Sequence, residues 1–300
     1  MLKIDFFEYL EKFKGKNFPL ILFCLLDRIP IIVMGKDPEE IDLFLIELTE
    51  LLDFRKELVY NTDFISSSEY LLLVQNESID YHSQRIQIRC SQKISFKALE
   101  LIDFFDSWII GFTYNNKKEL EKIEKIIDKK IKNYLKILIH LNDFSIFLKG
   151  FNIKNLDLSF EKYIFKKISQ DTEKAINRMK RVVSEKIYNS NIQNDIVLTL
   201  LDFENEKKEV KKNIFRKELH NFYSAAKGAF FILSRLNLLH KFDLNTQIGG
   251  KTLLETIDYK NANIERLISF IRKEWGEDFS NIVENGKKIS IGDKITSMWG

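Results

Sequence analysis

The sequence predicts an α+β chain: an N-terminal mixed α/β layered sheet domain over residues 1–116, followed by an all-helical C-terminal domain over 117–300. Three observations carry that expectation. A strand, a tight turn and a capped helix are specified together between Ile29 and Leu52. Short apolar or alternating runs between Lys56 and Thr113 supply further strands. Beyond Asn116 the apolar spacing turns helical and stays so, among lysines and glutamates.

In the first of these, Ile31, Ile32 and Val33 form a β-branched run that reads as a buried strand. Gly35 and Lys36 turn the chain. Asp37 is placed to cap a helix, with Pro38 at its first position and Glu40 completing a capping-box pattern. Ile41, Phe44, Leu45, Leu48, Leu51 and Leu52 then make one apolar face. Before this unit, a helix is expected over Lys3–Phe13, and an apolar one begins at Asn17-Phe18-Pro19.

After it, Lys56–Tyr60 and Tyr70–Gln75 read as strands. Arg85–Cys90 alternates strictly, so it reads as a strand with one solvated face. Ser95–Phe105 is a short helix with Ser95 as its cap, and Ser107–Thr113 is a buried strand. The order α-β-α-β-β-β-α-β closes a mixed sheet covered by helices.

Past Asn116, Leu120 to Leu141 carries helical spacing over a long segment. Phe160, Ile164, Ile168, Ile176, Met179, Val183 and Ile187 define a second long helix. A third runs from about Ile192 to Phe203, and a fourth from Val210 to Leu239. These would form a helical bundle or antiparallel arms. Shorter helices are expected at Leu253–Ile257 and Ile264–Trp275, and a strand at Ile289–Ile291.

With 45% hydrophobic and 30% charged residues the chain is globular, and wholesale disorder is excluded. Only 3 prolines and 11 glycines among 300 residues favour long helices over a loop-rich sandwich. Cys24 and Cys90 are isolated and read as small core residues in a reducing, cytoplasmic setting. Met1–Tyr9 lacks the apolar core of a signal peptide. Asp27 and Arg28 interrupt the run from Pro19 to Met34, so no transmembrane segment is expected.

Charge is unevenly spread. Residues 1–116 hold 12 Lys/Arg against 19 Asp/Glu, and residues 117–300 hold 35 against 25. Such an imbalance points towards an acidic partner for the second half, nucleic acid or an anionic membrane surface. Its densest cluster is Lys174, Arg178, Lys180 and Arg181, the candidate anion or nucleic-acid contact. Interleaving with glutamate also fits a simply solvated helix face.

Catalytic patterns are few. Gly250-Lys251-Thr252 has the end of a phosphate-binding loop but Asn245 where its first glycine belongs. Gly35-Lys36 precedes a helix N-terminus, where anions bind, but Asp37, Glu39 and Glu40 crowd it. His82, His140, His220 and His240 fall in no metal-ligand spacing. Asp63 reads as a turn cap and Asp27-Arg28 as a local ion pair. No catalytic residue, cofactor or metal is expected from these patterns.

Ile21–Asp37, the apolar helix to Leu52 and Asp53-Phe54, together with Trp108–Phe112, resemble the core of DENN-type (longin/DENN) small-GTPase regulatory modules. The stretch from Val59 to Ser91 adds strands to that pattern, and Asp53-Phe54 stands where a proline–aromatic pair is usual. The likeness implies a regulator of small GTPases or of membrane traffic that acts by surface contact, and it assigns no individual residue. Three readings follow. The first is a non-catalytic regulatory module that docks a protein partner such as a small GTPase or trafficking factor. The second is a nucleic-acid-associated protein using the basic helices. The third, an enzyme with dispersed acidic residues, requires a deep pocket with buried carboxylates of perturbed acidity.

Overall fold

Strand β1 (Ile31–Gly35) lies inside a six-stranded sheet, hydrogen-bonded on both edges and buried at every residue. The computed structural model describes residues 17–75, 84–140, 144–188, 194–242, 244 and 246–284. The strand order is β2-β3-β4-β1-β5-β6, with β2 (Lys56–Val59), β3 (Ile86–Cys90), β4 (Trp108–Thr113) and β5 (Tyr134–Ile139) parallel to β1. Strand β6 (Phe144–Lys149) returns antiparallel to β5. A long helical region follows the sheet, so the chain is α+β.

Helix α1 (Phe18–Leu26) buries all nine of its residues. Its last carbonyls, on Leu25 and Leu26, accept hydrogen bonds from the Arg55 guanidinium at 2.6 and 2.9 Å. From β1 the chain passes through α2 (Pro38–Glu50) to the far edge strand β2. It works back through α3 (Ser67–Leu73) and α4 (Ser95–Leu101) to β4, then crosses β1 through α5 (Lys117–Lys130) to β5. The reversal of direction puts the helices on opposite faces. Ile41 and Leu45 of α2 cover Gly35 and Gly111 on one face. On the other, Ile32, Met34, Ile88, Trp108, Ile110 and Phe112 pack with Tyr70 of α3, Ala98 and Leu99 of α4, and Ile123 and Ile127 of α5.

Contacts divide the chain into two units, 1–220 and 221–300. In the first, α6 (Ser159–Ile187) and the start of α8 (Glu204–His240) run antiparallel: Lys167 pairs with Glu218 at 3.0 Å and Lys207 with Glu173 at 3.3 Å. Helix α7 (Asn194–Leu200) lies between them in sequence. Phe18 of α1 packs on Phe165 and Phe215, which joins the base of this hairpin to the sheet domain. The second unit holds the rest of α8, α9 (Gly250–Thr256), α10 (Ile264–Trp275) and the two-residue strands β7 (Ile248–Gly249) and β8 (Val283–Glu284). Its core is aromatic, with Phe230 stacked on Trp275 at 4.9 Å and Phe222 tilted against Phe270 at the same distance.

Several expected elements are corrected. Tyr70–Gln75 is not a strand: α3 occupies Ser67–Leu73, held by a capping box in which Ser66 accepts from Glu69 N and Glu69 accepts from Ser66 N. The rod expected to continue to Leu141 ends at Lys130, and the sheet gains β5 and β6 beyond Asn116. All six residues of β5 are buried, including Lys136, which pairs with Glu124 at 2.6 Å, and Tyr134 and Leu138 satisfy helical spacing although the segment is a strand. Strand β3 has no fully solvated face: Gln87 is only 1% exposed and Arg89 is half-buried. Ile94, not Ser95, precedes α4, and Ser95 Oγ donates to the Gln92 carbonyl instead. Lys3–Phe13, His82 and Ile289–Ile291 lie outside the described residues.

Candidate functional site

Doubly wound sheets bind ligands beyond the carboxyl ends of the strands, where successive connections leave for opposite faces. Here that point lies between β1 and β4. Only Lys36 and Asp37 separate β1 from α2, so this connection is too short to wrap a phosphate as a glycine-rich loop does. Asp37 Oδ1 accepts from the Glu39 and Glu40 amides at 2.9 and 3.4 Å. Tyr114 N donates to the Gly35 carbonyl at 3.0 Å and closes the two strands together. Gln92 N donates to Asp42 Oδ1 at 3.1 Å, while Thr113 Oγ1 donates to Gln92 Oε1 at 3.2 Å. Asn116 caps α5 through the Glu119 amide, and Glu119 accepts from Asn115 N in return. These side chains are committed to one another, and the carboxylates of Asp37, Glu39 and Glu40 repel an incoming anion.

The basic cluster lies on α6. Lys174, Arg178 and Arg181 share one stripe at i, i+4 and i+7, whereas Lys180 points from another side. All four are exposed. Lys174 pairs with Asp171 at 3.2 Å and Arg181 with Glu185 at 3.7 Å, so a carboxylate closes each end of the stripe. Exposed pairs of this kind contribute little to stability and exchange readily with solvent.

A surface that the sequence reading missed surrounds α3. Tyr70 is the only residue of this helix that is buried. It contacts Phe105, with ring centroids 3.9 Å apart, and Phe64 at 5.1 Å. Leu71, Leu72 and Leu73 are exposed, Leu72 by 73%, as are neighbouring Ile65 and, beside Phe105, Phe104. The Ser66-x-x-Glu69 pattern is the signal that identifies a helix here, and three consecutive leucines on a helix cannot all face inward.

In the second unit, an open cleft of about 570 Å³ runs between α8 and Thr256–Asn261, and another of about 350 Å³ lies against α10. Among the described residues each is lined by one carboxylate, Asp258 and Glu265 respectively. Gly250 opens α9, where exposed Lys251 approaches Glu255 at 3.8 Å. His140, His220 and His240 are exposed, and no group of three or more His, Cys, Asp or Glu among the described residues is placed to hold a metal. Cys24 and Cys90 are buried core residues. Burial, with the Asp42 charge adding to it, pushes the Cys90 thiol up to about 12. Asp63 caps its own turn, accepting from Val59 N at 2.7 Å. No helix among the described residues is long and apolar enough to cross a membrane.

These features define a doubly wound sheet domain, its switch point bridged by the Asp42–Gln92–Thr113 hydrogen bonds, with a helical extension. No family model matches the chain, and no curated protein or solved structure matches it either.

Proposed function

We propose that this chain is a non-catalytic regulatory module that docks a protein partner through the surface around α3. The observation that carries this reading is the exposed apolar set Ile65, Leu71, Leu72, Leu73 and Phe104 beside a well-packed aromatic core. Such sets of exposed apolar side chains mark surfaces that another protein covers. The hydrogen bonds among Asp42, Gln92 and Thr113 beside the β1–β4 crevice support the same reading, since these polar side chains are engaged with one another.

A small GTPase or trafficking factor is the partner class that the DENN-type likeness implies. The test is a binding titration of the full chain against a panel of small GTPases, each loaded with GDP or GTP, beside the Leu72→Asp variant. One member binds the wild type, and Leu72→Asp weakens it about thirtyfold, as loss of a central anchor does. Unchanged far-ultraviolet circular dichroism confirms that the variant folds, because Leu72 lies on the surface. The proposal fails if the variant binds as well as wild type, or if no GTPase in either state binds.

A further inference from the structure

The sheet ends differently at its two margins. At one, β2 is four residues long and closes on its own turn. Val59 N donates to Asp63 Oδ2 at 2.7 Å, and the Val59 carbonyl accepts from the Thr62 and Asp63 amides at 3.1 and 2.9 Å. At the other margin, β6 runs for six residues without a proline. Leu135 N donates to the Pro30 carbonyl at 2.9 Å, so Leu135, Ile137 and Ile139 turn their N–H and C=O groups towards β1. Tyr134, Lys136 and Leu138 therefore bond across to Lys149, Phe147 and Ser145, their partners in register. By alternation, the main-chain groups of Phe144, Ile146 and Leu148 point out of the sheet. Among the described residues, none bonds to Ile146 or Leu148 on that side. An edge left open in this way is a template for another strand.

The residues along the edge select its occupant. A strand that pairs with its own copy about a two-fold axis must be self-complementary, and β6 is. With the axis at Ile146, Phe144 meets Leu148 of the second copy, Ile146 meets its own equivalent, and each of these pairs exchanges both N–H···O bonds. Phe147, 47% exposed, falls opposite the small Ser145 of the second copy and diagonal to its Phe147, within reach of an aromatic contact. Lys149 is the only charge on β6; it lies at the strand's end and pairs with Asp128 at 3.2 Å, so no like charges oppose each other.

We propose that two copies of this chain pair through β6, antiparallel and edge to edge, into one continuous sheet. Helix α3 connects β2 to β3 at the opposite margin, so the surface around it stays open in the pair.

The test is sedimentation velocity of the full chain over a wide range of concentration. Wild type sediments as a dimer that dissociates on dilution. Ile146→Pro removes an N–H that lies outside the β5–β6 ladder and puts a ring where the second strand docks. It weakens the dimer about thirtyfold and leaves the far-ultraviolet circular dichroism unchanged. Ile146→Cys reads the register separately: hydrogen-bonded partners in an antiparallel pair lie about 5.5 Å apart at Cα, within disulfide reach, and mild oxidation links this variant into a covalent dimer. Phe147→Cys, which faces Ser145 of the second copy, cross-links about tenfold more slowly. Leu72→Asp dimerises as wild type does, which separates this contact from the partner surface. The proposal is overturned if wild type stays monomeric at every concentration, or if Ile146→Pro folds and dimerises as tightly as wild type. It is equally overturned if Ile146→Cys fails to cross-link, a result that decides alone should Ile146→Pro misfold.

Discussion

A single methyl group tests whether α2 is seated on the sheet as described. A Cβ added at Gly111 would lie 2.6 Å from Ile41 Cγ2 and 2.9 Å from Leu45 Cδ1. Both side chains are fully buried, so neither has a void to move into. Gly111→Ala therefore overpacks the layer, at a cost of about 1–3 kcal/mol. Reduced freedom of the unfolded chain returns about 0.4–1 kcal/mol. The net loss is about 1–2 kcal/mol. Ile41→Ala alone costs about 2–5 kcal/mol by leaving a cavity. It also removes the nearer obstacle, so Gly111→Ala in that background costs under about 0.5 kcal/mol, the residue of the Leu45 contact. Native-state hydrogen exchange of peptides covering β1 and β4 reads the change locally and needs no two-state assumption for a chain of two units. Gly111→Ala accelerates exchange there about fivefold to thirtyfold, and the double variant shows the coupling. Strictly additive effects, or exchange unchanged in Gly111→Ala, would refute the close seating of α2 on β4.

Two further outcomes follow from buried polar groups. Arg55→Met leaves the Leu25 and Leu26 carbonyls without their guanidinium donor at a buried helix end, which lowers stability by about 2–4 kcal/mol. Arg55→Lys recovers part of the loss, since one ammonium cannot reproduce the planar fork; thermal melts of the three proteins check the order. For Cys90, the folded thiol titrates near 12 while an unfolded one titrates near 8.5, so the native state holds the extra proton between those values. Its contribution is complete below about pH 8.5 and is lost as pH rises towards 12. Urea midpoints of wild type and Cys90→Ala should therefore converge with increasing pH. A thiol reagent at pH 8 that modified native Cys90 without unfolding would contradict both its burial and this shift.

How much was legible in the sequence depended on whether a local signal was unique. Asp37-Pro38 marked a helix start because the cap and the fixed proline φ agree with the strand before them, and α2 begins there. Ser66-x-x-Glu69 was an equally local signal, but the leucines after it also fit a buried strand, and the helix was missed. Leu135–Ile139 failed for a different reason: Tyr134 and Leu138 continue the helical spacing of α5, Lys136 reads as a solvated position although it is buried against Glu124, and only the segment's place beside β1 decides that it is a strand. The basic cluster was legible as composition, while its partition was not. Asp171 and Glu185 join the stripe through helical geometry, and Lys180 leaves it for the same reason. Exposure past Ile176 was hidden entirely. Met179 continues the spacing of buried Ile168 and Ile176 yet is exposed, and Val183 and Ile187 are only half-buried, because spacing specifies a face without saying how much of it is covered.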